Sequence, residues 1–255
     1  MTQALELVRE NGFFVLGLLT LTAGAITLQR WANVHLGWQP LVAILRAMLQ
    51  LGVVALILQG VLSTPWTVAL FVVVMLATAS LTSGGRIREL YRGRQAAVLG
   101  VVTASLITIA WVFTLHLMDW NVRYLIAVAG IIIGNSMSAA TLSGRNFAHL
   151  TAERGDEIEG WLALGAQPAR AHREIGEVAL KEMLIPGIDQ TRATGLVTLP
   201  GAFVGALMGG ASPLEAAKFQ LVVLAGIGLA MTVCGIVITR IAGRSPTVPR
   251  PQAAQ

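Results

Sequence analysis

The stretch AMLQLGVVALILQGVLSTPWTVALFVVVMLATASLTSGG, residues 47–85, contains no charged side chain. A helix needs about 20 apolar residues, at about 1.5 Å each, to cross about 30 Å of hydrocarbon. The stretch is long enough for two such helices. Pro65 marks the division between them, because proline lacks a backbone donor and suits the start of a helix. The sequence therefore predicts two membrane spans joined by a tight turn at 63–65.

The rest of the chain has the same character. Of its 255 residues, 55% are hydrophobic and 12% are charged, and the mean hydropathy is +0.71. Soluble proteins carry about 25% charged residues. We therefore expect an all-α, polytopic membrane protein with about seven transmembrane helices. Their predicted positions are 12–30, 40–62, 65–83, 96–118, 122–143, 187–209 and 215–240.

These spans define the expected domain organisation. Transmembrane helices 1–5 occupy residues 1–143, a cytoplasmic helical hairpin occupies 144–186, helices 6–7 occupy 187–242, and a cytoplasmic tail occupies 243–255. All of them belong to one membrane domain. Because Glu6 and Glu10 precede the first apolar run and no basic n-region comes before it, we expect no cleaved signal peptide.

Several protein classes are excluded by the cysteine count and the charge distribution. The single cysteine, Cys234, can form neither an internal disulfide nor a cysteine-rich metal cage. The net charge of +5 and the pI of about 10.3 come mainly from arginines in short loops between apolar segments. In a polytopic protein such a pattern is first a topology signal. We therefore expect membrane lipid, and no nucleic acid, around this chain.

The distribution of basic residues predicts the orientation. One set of loops carries 13 basic residues and the other set carries three, or eight against three without the long 144–186 segment. Basic loops stay in the cytoplasm, so the N-terminus is expected outside and the C-terminus in the cytoplasm. The 13 are Arg30, Arg86, Arg88, Arg92, Arg94, Arg145, Arg154, Arg170, Arg173, Lys181, Arg240, Arg244 and Arg250.

Residues 145–186 are predicted to form a helical hairpin outside the membrane, since they hold 12 of the 31 charged residues. Gly165 suits the end of a first helix, and Pro168 suits the start of a second that reaches about Leu180. At about 100° per residue, five apolar side chains of the first helix fall within one arc of about 120°. They are Phe147, Leu150, Ile158, Trp161 and Leu162.

The hairpin also carries a motif. The string Glu159-Gly-Trp-Leu-Ala-Leu-Gly165, followed by Ile175, resembles the cytoplasmic coupling loop of ABC transporter permeases. Such a loop needs a helix end that fits a groove of a soluble ATPase, a glycine for the turn and a charge that fixes the register. The residues predicted to couple are Glu159, Trp161, Leu162, Gly165 and Ile175. The match is partial, because Gly160 and Trp161 replace two alanines and no Leu-Pro follows Ile175. The alternative is an amphipathic hairpin that lies on lipid headgroups.

Later segments resemble a known family. The string Thr-Gly-Leu-Val-Thr-Leu-Pro-Gly at 194–201 is specific to this resemblance. Four further segments support it, namely Arg46 to Leu51, Gly134 to Met137, 164–166 and 209–217. Together they are similar to the Fet-type iron-exporter permease family, which includes plant aluminium-tolerance permeases. The resemblance covers residues from about 40 to 240. The resemblance implies a permease subunit in the bacterial inner membrane that exports a metal, namely iron, and pairs with a separate ATPase.

The sequence also supports a separate ATPase. It contains no Gly-x-x-x-x-Gly-Lys-Ser/Thr string, so we expect ATP and Mg²⁺ on a P-loop partner and neither cofactor nor catalytic residues in this chain. Two ATPase subunits need two docking hairpins, which predicts a homodimer. The alternatives are a secondary transporter driven by an ion gradient and a membrane scaffold that recruits a soluble partner through residues 145–182.

Polar residues within predicted spans are candidates for a transport path, because charged groups in a bilayer are costly and usually functional. They are Arg46, Gln50, Asn135, Ser138, Asp189 and Arg192. The alternative for Arg46 is a side chain that extends to the cytoplasmic surface. The alternative for Asp189 and Arg192 is a structural role, in which Asp189 complements the helix N-terminus after Pro186 and Arg192 forms an ion pair with Asp189.

Glycines repeat every four residues along two spans and predict close helix packing, either within the chain or at a subunit interface. They are Gly130, Gly134, Gly201, Gly205 and Gly209. Pro200, beside the first glycine of the second set, is expected to bend its span. The four histidines, His35, His116, His149 and His172, have no partner at helical spacing, so the sequence leaves the metal ligands unknown.

Overall fold

The computed structural model describes residues 2–61 and 65–246, with side chains described for 12–57 and 66–246. The described chain forms ten helices. In order they are α1 (Thr2–Trp31), α2 (Gln39–Val61), α3 (Pro65–Arg86), α4 (Gly93–Thr114), α5 (Val122–Glu153), α6 (Gly155–Ala163), α7 (Pro168–Ala171), α8 (Arg173–Ala193), α9 (Gly201–Met208) and α10 (Pro213–Ala242). The predicted all-α, polytopic membrane architecture is confirmed. Arg250 of the predicted cytoplasmic tail lies outside the described residues.

Six of these helices are long and apolar enough to cross a membrane. The spans are Gly12–Trp31, Gln39–Ile57, Trp66–Arg86, Gly93–Thr114, Val122–Glu153 and Pro213–Ala242. The remaining predicted span, 187–209, is not a continuous helix. The chain leaves α8 after Ala193, turns at Gly195 with φ of +92°, and re-enters a helix only at Gly201. The effect expected of Pro200 is thus larger than a bend, because residues 194–200 interrupt the helix.

The hairpin region also differs from its predicted bounds. Helix α5 continues past residue 143 to Glu153, and the second helix is divided into the four-residue α7 and the longer α8. The division falls at His172, whose backbone has φ of −95° and ψ of 1°. Pro186 lies inside α8 and not at its start. The charged segment is therefore continuous with two long helices.

Residues 1–64 form one compact unit, in which α1 and α2 contact each other. The connection between them turns at Asn33 and Gly37, which have φ of +58° and +59°. The guanidinium carbon of Arg30 lies 5.2 Å from the ring centre of Trp38, within the range of a cation–π contact. This contact ties the end of α1 to the start of α2.

The described residues from Pro65 onward form the second unit, and α10 contacts α4, α5, α8 and α9 within it. Glycines allow these helices to approach closely. A Cβ added at Gly100 of α4 would lie 3.2 Å from Sγ of Cys234, and one at Gly226 would lie 3.1 Å from Cδ1 of Ile132. The core of this unit therefore depends on glycines that face large side chains of neighbouring helices.

Candidate functional site

The tip of the hairpin is a tight turn at Gly165. The N–H of Ala166 donates to the carbonyl of Trp161 at 3.0 Å, and the N–H of Gly165 donates to that of Leu162 at 2.9 Å. With φ of +85° at Gly165, this pair of bonds is a Schellman motif, which closes a helix C-terminus. Glycine suits the position because it has no Cβ to clash in the left-handed region. The predicted helix end at Gly165 is confirmed.

Helix α6 is fastened to the rest of the second unit. Ile158 of α6 and Ile175 of α8 are 0% and 2% exposed and belong to the same apolar core. Arg154 adds a polar link, since its Nη2 donates to Oε1 of Glu174 at 3.0 Å and its Nε to Oε2 of Glu157 at 2.8 Å. The hydrogen bond that Arg154 donates to Glu174, followed by the one that it donates to Glu157, raises the pKa of Arg154. The turn at Gly165 therefore follows a helix, α6, that is fixed to α8 by apolar packing and by an ion pair.

The outer side of α6 exposes an apolar surface. Trp161 is 42% exposed and Leu164 is 83% exposed, and Glu159 is exposed beside them. The guanidinium carbon of Arg170 lies 5.9 Å from the Trp161 ring centre, close enough to restrict the indole. We call Glu159, Trp161, Leu164 and Arg170 the hairpin surface. It offers a partner one ring, one aliphatic side chain and charges of both signs.

The five side chains of the predicted apolar arc do not share one environment. Phe147 and Ile158 are buried, and Leu150 and Leu162 are half-buried against the core, so only Trp161 of the five faces outward. The reason is a break at Arg154, where φ of −105° and ψ of 30° separate α5 from α6. Leu164 and Arg170 were missed, because a single continuous helical wheel places Leu164 outside the apolar arc.

Two of the predicted path pairs lie on different helices, one on α5 and the other on α2. Asn135 is half-buried and its Nδ2 donates to the carbonyl of Ile131 at 2.8 Å, whereas Ser138 is exposed and its Oγ donates to the carbonyl of Gly134 at 3.2 Å. Both side chains are therefore satisfied on α5 itself. Arg46 and Gln50 are exposed on α2, in the other unit.

Asp189 and Arg192 form the predicted pair. Nη1 of Arg192 donates to Oδ1 of Asp189 at 3.3 Å, and the side chains are 77% and 61% exposed for Arg192 and Asp189 respectively. The expectation that Asp189 complements a helix N-terminus is wrong, since α8 runs through Pro186 and ends at Ala193. The acidic group instead lies near the C-terminus of the helix, where it needs its basic partner.

The sequence did not reveal a buried polar cluster where α4, α5 and α10 meet. Oγ of Ser105 donates to Oγ of Ser136 at 3.4 Å, and the thiol of Cys234 donates to the carbonyl of Ser136 at 3.3 Å. Oγ1 of Thr108 is buried nearby in the same helix as Ser105 and has no partner among the described residues. The members are 31 and 98 residues apart along the chain, so no local motif announces them.

The predicted packing glycines have different surroundings. A Cβ at Gly130 would lie 3.3 Å from Cε of Met75 in α3, so this glycine packs within the chain. At Gly134, Gly201 and Gly205 an added Cβ would meet no described atom within 4 Å, and at Gly209 it would meet only carbonyl oxygens of α9. Packing within the described chain therefore explains Gly130 alone.

Metal-binding side chains do not converge in the described part of the chain, which has no group of three or more His, Cys, Asp or Glu side chains. His172 is buried at 1% exposure, whereas His35, His116 and His149 are exposed. The geometry therefore adds no metal ligand set to the sequence interpretation.

Comparison with known proteins identifies relatives over most of the chain. It is 33% identical over 235 residues to the UPF0014 membrane protein STAR2 of Oryza sativa subsp. japonica, covering 89% of this chain and 82% of the relative. It is 32% identical over 218 residues to the Arabidopsis thaliana protein ALUMINUM SENSITIVE 3, covering 84% and 80%. It is 27% identical over 180 residues to the probable iron export permease protein FetB of Escherichia coli (strain K12), covering 70% of each.

No solved structure significantly matches the chain. The model of one family, described as an uncharacterised protein family, matches residues 14–246. This range includes the hairpin, the interrupted segment 194–200 and all of α10. On that match and these identities, the chain belongs to the membrane protein family UPF0014.

Proposed function

We propose that this protein is the membrane subunit of an ABC-type exporter, driven by a separate P-loop ATPase. The observation that carries the proposal is the hairpin surface, which is exposed while the buried Ile158 and the ion-paired Arg154 fix its helix to the rest of the second unit. A coupling element needs an exposed contact that cannot slide relative to the transmembrane helices. The glycine turn and the anchoring of α6 supply both properties.

The proposed cargo is a metal ion, with iron as the first candidate. The support is the name of the FetB relative, a probable iron export permease protein, together with the name ALUMINUM SENSITIVE 3 of the plant relative. The protein would act as a homodimer in the bacterial inner membrane, because two ATPase subunits require two hairpins. ATP and Mg²⁺ would bind the ATPase, since this sequence has no P-loop string.

The test is co-purification followed by transport. The full chain is expressed with each candidate P-loop ATPase subunit from the same organism, purified through a tag on the membrane subunit and reconstituted into vesicles. We expect the ATPase to co-purify and iron to move across the vesicle membrane only with ATP. Binding of the ATPase without ATP-dependent transport of any metal tested would contradict the exporter proposal.

A second candidate is a secondary transporter, and one observation favours it. Interrupted helices often build ion and substrate sites in such carriers, and residues 194–200 interrupt a helix here. The same vesicles distinguish the two. Metal movement driven by an ion gradient in the absence of ATPase and ATP would establish the carrier, whereas no movement under either condition, with a soluble partner bound, would favour a scaffold.

The orientation is a further proposal, with the N-terminus outside and the hairpin and C-terminus in the cytoplasm. After replacement of the buried Cys234 by alanine, single cysteines placed at Arg88 and Arg244 should react only with reagents that enter the cell. Cysteines at Asp119 and Ala211 should react with impermeant reagents. A cytoplasmic label at Ala211 would overturn this topology.

We expect the Asp189–Arg192 pair to be structural. Arg192→Gln alone should reduce transport, because it leaves the Asp189 carboxylate unpaired near the C-terminus of α8, where a negative charge is unfavourable. Adding Asp189→Asn should restore most of the activity, since no unpaired charge remains. Transport assays in vesicles of the single and double variants provide the measurement. Equal loss in both would assign Arg192 a direct role in transport.

A further inference from the structure

A cavity of about 510 Å³ lies between α7, the start of α8 and the C-terminal end of α10. Its volume is within the range of about 300–1,000 Å³ that is usual for small-ligand sites. It belongs entirely to the second unit and does not include the hairpin surface. No part of the proposed export function accounts for it.

The cavity carries an excess of positive charge. Arg240 and Arg244 line it, both are exposed, and neither forms an ion pair with any other residue that the structure describes. Arg173 also lines it, but its Nε donates to Oε1 of Glu177 at 2.9 Å, and Glu177 is part of the same wall. The charges of Arg173 and Glu177 cancel each other, so Arg240 and Arg244 remain in the wall of the cavity without a counter-charge.

A buried histidine forms part of the same wall. His172 is 1% exposed, and its Nδ1 lies 2.9 Å from the carbonyl oxygen of Pro168, which assigns the proton to Nδ1. Its Nε2 is buried and has no partner in the described chain. The ring is held in place, since it stacks on Phe147 with 6.0 Å between ring centres. The imidazole is therefore fixed beside the cavity, and with its proton on Nδ1 it offers no second donor to a bound anion, so the arginines are the groups left to bind one.

The position of the cavity suggests the source of its ligand. Helix α10 is a membrane span that extends to Ala242, so Arg240 and Arg244 lie where the span leaves the hydrocarbon. Phospholipid headgroups occupy this level, and basic pockets between membrane helices at this depth bind anionic headgroups. Arginine is well suited to this task because its guanidinium donates two parallel hydrogen bonds to a phosphate.

We propose that this cavity binds a phosphate group through Arg240 and Arg244, and that the group belongs to the headgroup of an anionic phospholipid. Free inorganic phosphate has the same chemistry and is the other source that a test must separate. The site is independent of the export function, because it uses neither the ATPase nor a transported metal.

The test measures lipid binding to the full chain in detergent by native mass spectrometry. Wild type should bind phosphatidylglycerol and should not retain phosphatidylcholine. Arg240→Gln with Arg244→Gln should weaken phosphatidylglycerol binding about 25-fold, since each arginine near an anionic lipid surface contributes about fivefold. Arg240→Lys with Arg244→Lys keeps both charges and should lose much less. Thermal unfolding of each variant verifies that it is folded.

The matched control is Arg88→Gln with Arg94→Gln, which removes the same charge from exposed arginines that do not line the cavity. It should leave phosphatidylglycerol binding unchanged. In a second arm, inorganic phosphate is added without lipid. If phosphate stabilises wild type but not the Arg240/Arg244 variant, and phosphatidylglycerol binds both equally, the ligand is free phosphate. Equal loss in the control, or no dependence on Arg240 and Arg244 for either ligand, would overturn the proposal.

Discussion

Gly165→Val should separate membrane assembly from ATPase coupling. Gly165 has φ of +85°, where an L-residue costs about 1–2 kcal/mol and a β-branched residue fits poorly. An added Cβ meets no atom within 4 Å, so backbone strain alone would displace the turn and the adjacent Leu164. We expect normal insertion and dimerisation, with about tenfold weaker ATPase association in a pull-down titration.

The matched control is Gly165→Asn. Asparagine tolerates the left-handed region, so this variant should retain most of the association that valine loses. Glu159→Lys should weaken coupling to a smaller extent, because it reverses one exposed charge at the rim of the hairpin surface. Full ATP-driven transport by both Gly165→Val and Glu159→Lys would mean that the hairpin is not the coupling element.

Gly93→Ala should have the largest effect on stability. A Cβ at Gly93 would overlap the carbonyl oxygen of Ile87 and lie 2.9 Å from its carbonyl carbon. The turn between α3 and α4 is held by N–H groups of Leu90 and Gly93, which donate to the carbonyls of Ile87 and Leu90 at 3.1 and 2.9 Å. The clash is with backbone, so relief requires the turn to open.

We expect Gly93→Ala to cost about 3 kcal/mol, the upper part of the usual range for overpacking. The thermal unfolding midpoint in detergent should fall by about 6–12 °C. Gly85→Ala is the control, because an added Cβ there meets nothing within 4 Å and alanine favours a helix. Equal unfolding midpoints for the two variants would show that the turn accommodates a side chain at residue 93.

Hydropathy and charge predict the membrane helices of this protein well and fail at one place. Long runs such as 47–85 leave no alternative to spanning helices, because uncharged apolar segments of this length have one stable environment. Hydropathy does not detect the interruption at 194–200, since Leu196, Val197 and Leu199 are as apolar as the helices around them. The available signals are local, namely Gly195 and Pro200 at the two ends of the break.

The candidate site was predictable where it depends on local geometry. The helix ends at Gly165 because the N–H of Gly165 donates to the residue three positions before it and the N–H of Ala166 donates to the residue five positions before it. A short window of sequence therefore contains the information. The burial of Ile158 depends instead on Ile175 and the core of the second unit, and the link between Arg154 and Glu174 spans 20 residues. Contacts of that kind depend on the tertiary arrangement, which periodicity does not encode.

Helix α5 has a mechanical consequence for any partner that binds the hairpin surface. Its 32 residues extend about 48 Å, and the hydrocarbon is about 30 Å thick. The helix has no proline or break from Val122 to Glu153, and Arg154 follows directly with its bonds to α6 and α8. The backbone hydrogen bonds of one helix therefore run without interruption from Glu153 to Ser136, whose carbonyl accepts the thiol of Cys234 at 3.3 Å. We expect a partner that displaces α6 to displace α5 as well.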